Sequence, residues 1–263
     1  MDWNKIVSKV TPYVVKIQTP AADGTGFLCL YNQTRNFCGI ATAAHVISYA
    51  DEWQQPIRIQ HYPTGGTVLL KEENRVIFLD PKNDSAVILI QTGILDFPED
   101  IIPLLPSETA LGIGAEVGWL GYPAIESNTL CFFSGTISAR TRNNAAYLID
   151  GVAINGVSGG PVVYSTADGV QIVGDVSAYR ANRVTGETLP GLLVAQDLSH
   201  FHKVISHINS IDEANRKKRE AEQEAKAEAA ESAASLSPVM AEAEAQPEEA
   251  QTAPLTKTRA AKP

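Results

Sequence analysis

Gly156-Val157-Ser158-Gly159-Gly160-Pro161 is the stretch on which the reading of this chain turns. The glycine two residues before the serine lets the backbone turn so that two N–H groups can face an anion, and the glycines after it keep bulk away from the hydroxyl. Ser158 is therefore the candidate nucleophile, with the N–H groups of Gly156 and Ser158 as candidate oxyanion donors. A serine hydroxyl is nearly inert at neutral pH and needs a base, together with a group that orients the base. Working back from Ser158, the chain offers His45 in Thr42-Ala43-Ala44-His45-Val46 and Asp84 in Asn83-Asp84-Ser85-Ala86-Val87. Asp80, just before Pro81-Lys82, is a near rival for the acid but reads as a turn former. Asp84 is favoured because it immediately precedes an apolar strand that can hold it rigidly.

In the order His, Asp, Ser these segments resemble the chymotrypsin-fold serine proteases. The nearest likeness is to the bacterial HtrA-type branch, through Pro12-Tyr13-Val14-Val15-Lys16-Ile17, Gly24-Thr25-Gly26-Phe27, Asp84-Ser85-Ala86-Val87, Gly135-Thr136-Ile137-Ser138 and the serine motif, over roughly residues 5–205. The resemblance implies peptide-bond hydrolysis through His45, Asp84 and Ser158, on a protein or peptide substrate, with no metal or organic cofactor. It places the primary substrate pocket near Val152 and Val176-Ser177-Ala178, with no carboxylate where such pockets select Lys or Arg, so a small or medium apolar side chain is expected there. Asp150 matches an aspartate of the HtrA-type motif and is expected to be structural. Val157 departs from the pattern: the digestive branch carries an aspartate there and the HtrA-type branch an asparagine. The oxyanion turn is then either held by other contacts or conformationally gated. No PDZ domain is expected to follow.

The remaining pattern fits an all-β fold. Alternating or apolar runs from Tyr13 to Ile17, Gly26 to Tyr31, Phe37 to Ala43, Pro56 to Gln60, Thr67 to Leu70, Arg75 to Leu79 and Ala86 to Ile90 precede a proline-rich connector from Asp96 to Thr109. A second strand set runs from Glu116 to Ala195. With the resemblance, this predicts two antiparallel six-stranded β-barrels, about residues 11–95 and 110–198, with the active site in the cleft between them. Asp2 caps a short N-terminal helix, and Phe201, Val204, Ile205 and Ile208 recur at helical spacing in a C-terminal one. Residues 1–210 form the catalytic domain on this reading, 211–235 a charged Ala/Glu/Lys segment with helical potential but no apolar stripe, and 236–263 a disordered, solvated tail.

Composition narrows the partners. The net charge of −9, with no Lys/Arg cluster before Arg216, argues against a nucleic-acid partner. No apolar run reaches the length that spans a bilayer, so no membrane partner is expected, and the charged N-terminus does not read as a signal peptide, which predicts a cytoplasmic protein. Three cysteines suit a reducing compartment. Cys29 and Cys38 flank Asn32-Gln33-Thr34-Arg35 symmetrically, which leaves open a cross-strand disulfide or two small buried hydrophobes. His61, His200, His202 and His207 lack motif context and are expected in packing or at the surface.

Two rival readings stand beside the protease. Gly156-Val157-Ser158-Gly159-Gly160 also satisfies the G-x-S-x-G motif of α/β-hydrolases, with Asp175 and His200 following, but that fold needs a helix directly after the nucleophile, where β-rich Val162-Val163-Tyr164 stands. The other rival is a catalytically silent protease-fold module that binds or scaffolds partners; chemical reactivity separates it from an enzyme.

Overall fold

The first helix begins where the sequence places a cap. The Asp2 carboxylate accepts the Lys5 backbone N–H at 3.4 Å, and α1 (Trp3–Val10) buries Ile6 and Val10. Pro12 has no N–H to continue the helix, and the chain leaves it through a single 3-10 turn. From there the computed structural model, which describes residues 2–236 other than 63, 142–144, 153, 168 and 182–187, is built mainly of antiparallel strands.

The N-terminal half holds β1 (Val14–Gln18), β2 (Asp23–Tyr31), β3 (Phe37–Thr42), β4 (Ile57–His61), β5 (Thr67–Leu70), β6 (Val76–Asp80) and β7 (Ser85–Gln91). They form one seven-stranded sheet in the order β5-β4-β1-β2-β3-β7-β6, curled into a half-barrel. Its edges β5 and β6 are joined through a 3-10 turn at Glu72–Asn74, and each edge leaves a large apolar side chain in solvent, Leu69 and Val76. Neither edge covers the other, so the seven strands, which match the seven apolar runs, make a curled sheet with an open seam and not a closed six-stranded barrel. Helix α2 (Ala44–Glu52) fills the concave side, burying Ala44, Val46, Ile47 and Ala50 against Ile17, Leu28, Ile40, Ile59 and Ile88. The Arg75 guanidinium closes the far end of that helix by donating to the Ala50 carbonyl at 3.2 Å and to Leu70 O at 3.1 Å.

The second half is the expected six-stranded barrel. Strands β8 (Glu116–Gly121), β9 (Cys131–Thr141), β10 (Ala146–Asp150), β11 (Pro161–Thr166), β12 (Gly169–Ala181) and β13 (Thr188–Gln196) close in the order β10-β13-β12-β11-β8-β9. Irregularities at Leu148/Ile149, Val162/Val163 and Val176/Ala178 supply the local bends that closure requires. The connector carries no strand, but Leu105 N–H and the Pro103 carbonyl bond to Ile172 on β12, which pins it to the barrel wall.

One apolar cluster fills this barrel and runs on into the back of the first sheet, through Phe27, Cys29, Leu30 and Val87. Helix α3 (Ser199–Leu236) seals it with Phe201, Val204 and Ile208, Phe201 meeting Phe27 edge-on at 6.0 Å. The helix continues through the Ala/Glu/Lys segment with i,i+4 ion pairs, Arg216 to Glu220 at 3.8 Å and Lys218 to Glu222 at 4.0 Å. By its contacts the chain divides into residues 1–213 and 214–263. The expectation for the tail falls, after Leu236, outside the described residues.

Cys29 and Cys38 are free thiols. The hairpin closes with Tyr31, not Cys29, opposite Cys38, a register shift between Leu28 and Leu30 leaves Cys29 out of the pairing, and the two cysteines face different clusters across the sheet. Among the described residues no helix is long and apolar enough to cross a membrane.

Candidate active site

His45, Asp84 and Ser158 reach the cleft from three loops. His45 lies in the first turn of α2, directly after β3; Asp84 ends the β6–β7 turn; Ser158 lies between β10 and β11. His45 Nδ1 stands 2.8 Å from Asp84 Oδ2 and 3.0 Å from Oδ1, and the His45 backbone N–H donates to Oδ1 at 2.9 Å. The Ala44 N–H also donates to the Asp84 carbonyl, at 3.1 Å. Asp84 thus clamps the start of the helix that carries the imidazole.

The conformation of Asp84 is unusual for a residue with a side chain, with φ at +50°. Aspartate tolerates this left-handed region better than most residues, and the turn before it supplies the constraint. Asp80 accepts the Asn83 N–H at 3.2 Å and the Asn83 side-chain amide at 2.7 Å, while its carboxylate faces His200 at 3.9 Å. Asp80 is therefore the turn former that its neighbour Pro81 suggests, and Asp84 is the carboxylate that meets His45.

Ser177 on β12 completes the acid's surroundings. Its hydroxyl donates to Asp84 Oδ2 at 2.6 Å from the other half of the molecule. Burial on its own would raise the Asp84 carboxyl, but the hydrogen bonds from His45 and Ser177 outweigh it and hold the group below the ordinary carboxylate range. The Asp84 carboxylate therefore lies against His45 Nδ1, which leaves the Nε2 edge of the ring turned away from it.

The Ser158 hydroxyl donates to the Ser177 carbonyl at 3.4 Å, and among the described residues it makes no hydrogen bond to His45.

The backbone around Ser158 has its peptide planes fixed one by one. The Asn155 carbonyl accepts Ala124 N–H at 2.6 Å and the Val157 carbonyl accepts Gly160 N–H at 2.9 Å. In a trans peptide the N–H points opposite to the C=O. The N–H groups of Gly156 and Ser158, which share those two planes, are therefore turned away from these partners, and among the described residues neither has a protein acceptor. Gly156 takes φ of +90°, and a Cβ there would stand 2.3 Å from Tyr122 O. Gly159 takes +81°, and its Cβ would stand 2.2 Å from both Thr25 O and Thr42 Oγ1. The glycine spacing read from the sequence thus serves close backbone approach as well as turning.

The pocket residues divide by exposure. Val152 and Ala178 face solvent, whereas the Val176 side chain is in the core and its backbone holds the serine loop, accepting Gly159 N–H at 2.6 Å and donating to Gly160 O at 2.9 Å. Asp150 ends β10 and pairs with Leu192 and Thr136 in the barrel ladder, a structural position. His61, buried, bonds to Pro12 O at 2.7 Å, and His202 to Leu105 O at 2.8 Å.

Sequence reasoning missed three groups around the cleft. Ser177 was read as a pocket residue, without its bond to Asp84. Thr25 lies in the quoted Gly-Thr-Gly segment, yet nothing there announces that its N–H donates to Ser158 O at 2.8 Å and its hydroxyl to Gly156 O at 2.8 Å. Asp175 was weighed only for the α/β-hydrolase reading; a carboxylate within the apolar run of β12 was the available signal. It is fully buried at the junction of the two halves, with Ser85 Oγ 3.3 Å from Oδ1 and Oδ2 without a partner among the described residues. Burial, and then the nearby charge of Asp84, push its carboxyl well above the ordinary range.

Residues 24–174, more than half of the chain, match the family described as a trypsin-like peptidase domain. Among solved structures, Deg5 shares the fold with a TM-score of 0.56 and 21% identity, over 76% of this chain and 90% of that one. A mutant of Rv3671c from M. tuberculosis H37Rv, serine replaced by alanine, in the inactive form, gives 0.54 and 20%, over 79% of this chain and 91% of that one. A second structure, described as Rv3671c protease in an inactive form, gives 0.53 and 20%, over 78% and 93%. No curated protein matches the sequence. The antiparallel topology is incompatible with the α/β-hydrolase reading, and with the family match it gives the assignment: the chain belongs to the trypsin-like peptidase family, serine endopeptidases of the chymotrypsin fold.

Proposed function

We propose that this endopeptidase cleaves peptide bonds through His45, Asp84 and Ser158 by way of an acyl-enzyme. The observation that carries the reading is the Asp84 carboxylate, set on His45 Nδ1 at 2.8 Å and anchored from the opposite side by Ser177. Ser158 Oγ attacks the substrate carbonyl carbon as its proton passes to His45 Nε2, and the carbonyl oxygen becomes an oxyanion facing the N–H groups of Gly156 and Ser158. Collapse breaks the C–N bond, and His45 gives its proton to the leaving amine. Water, deprotonated by His45, then attacks the ester, and Ser158 recovers its proton. Asp84 stays ionised throughout and stabilises the imidazolium.

For a small or medium apolar side chain before the cleaved bond, the support is the exposure of apolar Val152 and Ala178. Gly151, next to Val152, packs so closely on the Trp119 ring that a Cβ would stand 2.3 Å from it. The test of the whole reading is labelling by a fluorophosphonate. Native protein is expected to react at Ser158, and Ser158→Ala to abolish the adduct. A folded native protein that never labels leaves the silent binding module as the better account.

A further inference from the structure

Val157 offers the oxyanion turn no polar anchor; its side chain is fully buried against Gly121. We propose that Thr25 does this work, as a positioning residue whose hydroxyl sets the oxyanion turn from the opposite half of the molecule. The inference rests on the triad reading above.

Thr25 is completely buried on β2, and every polar atom it has is engaged. Its N–H donates to Ser158 O at 2.8 Å, and its carbonyl accepts the Thr42 hydroxyl at 2.7 Å. Its Oγ1 works in both directions, donating to Gly156 O at 2.8 Å and accepting Tyr122 N–H at 3.0 Å. The first bond fixes the plane that follows Gly156. The second fixes the segment Tyr122-Pro123-Ala124, and Ala124 N–H is the group that turns the plane before Gly156. One hydroxyl therefore constrains both peptide planes flanking the Gly156 α-carbon, while the Thr25 N–H holds the plane after Ser158. Without the hydroxyl, Gly156 O and Tyr122 N–H are left buried and unpaired, and the segment whose Ala124 N–H sets the plane before Gly156 loses its anchor, so the aim of the Gly156 N–H loosens.

The experiment follows inactivation by a biotinylated fluorophosphonate, separating the reversible constant KI from the chemical rate kinact. Deleting an oxyanion donor outright typically slows the chemical step by about 10²–10³. A donor left in place but loosely aimed loses part of that, so Thr25→Val is expected to lower kinact by about ten- to a hundredfold at unchanged KI. Thr25→Ser, which keeps the hydroxyl, is expected to recover most of the rate. A stability role alone would shift the unfolding midpoint and leave kinact of the folded fraction untouched. If T25V does not fold, Thr25→Ala replaces it, since the space it opens admits water to both orphaned groups; failure of both to fold assigns the hydroxyl to stability and overturns the proposal. Folded T25V or T25A reacting at the native rate also overturns it while the protease reading stands. A native protein that never labels removes the protease reading, and this one with it.

Discussion

Replacing Asp84 by asparagine tests the site at the group with the most constrained partners. The carboxylate meets only donors: the His45 N–H at Oδ1, the Ser177 hydroxyl at Oδ2, and Nδ1–H near both oxygens. An amide must turn its NH2 toward one of them. At the Oδ1 position it opposes a backbone N–H, which cannot become an acceptor, and such a mismatch costs about 1–3 kcal/mol. At the Oδ2 position it opposes a hydroxyl that can rotate and an imidazole nitrogen that can lose its proton. The second orientation wins, and it forces the proton of His45 onto Nε2, where it blocks acceptance of the Ser158 proton. In a chymotrypsin-type enzyme the same exchange lowers kcat by roughly 10⁴, about 5.4 kcal/mol of barrier. The volume is conserved, so the variant should fold. The assay is turnover of a peptide ester and a peptide anilide by Asp84→Asn and Asp80→Asn, with circular dichroism of both. A D84N enzyme within tenfold of native, or a large loss confined to D80N, would refute the assignment.

Two further expectations concern stability. Asp175 is held protonated in the folded protein above the ordinary value of 3.8, so the folded state binds a proton that the unfolded chain releases, and its contribution, full below that value, is lost as pH rises toward the folded one. Asp175→Asn removes this dependence, so its urea midpoint relative to native should climb from pH 4 to pH 8; a difference that stays flat or falls sinks the idea. Asp212 on α3 accepts Gln33 N–H at 2.7 Å and the Asn32 amide at 3.2 Å, so the division between body and tail lies just beyond it. Truncation after Glu213 should leave Tm unchanged, whereas truncation after Ile211 should lower it by about 2–4 °C, the shift expected for roughly 1 kcal/mol. Equal midpoints for the two truncations would show that the Asp212 contact contributes nothing.

What the sequence made legible was pattern and punctuation. Apolar alternation marked the strands of both halves, and the His, Asp and Ser segments marked three loops of the cleft. Closure of a sheet was not legible, because it depends on whether β5 and β6 meet at the far ends of a curl, which no local pattern encodes. The hydroxyls were hidden for a related reason. Thr25 and Ser177 sit in strands where such residues are common, and only the approach of a second sheet gives them partners. Cys29 and Cys38 misled through symmetry: a four-residue loop from Asn32 to Arg35 would set them face to face, but the loop is longer and the hairpin closes with Tyr31 opposite Cys38. The reach of the last helix was partly readable, since its Glu and Lys spacing favours helix without supplying a buried face.

His45 and Asp84 belong to the N-terminal half, Ser158 and Ser177 to the C-terminal one, and the turn at Gly156 is bonded to Thr25 across the junction of the two. Chains grow from the N-terminus, and domains tend to fold as they emerge. A nascent chain therefore presents His45 and Asp84 well before Ser158 exists, and a finished chain whose halves have not docked holds the serine without its base. On the proposed triad, a partly made molecule holds no complete site. With that proposed triad, the junction between the halves makes hydrolysis a report that the two have docked.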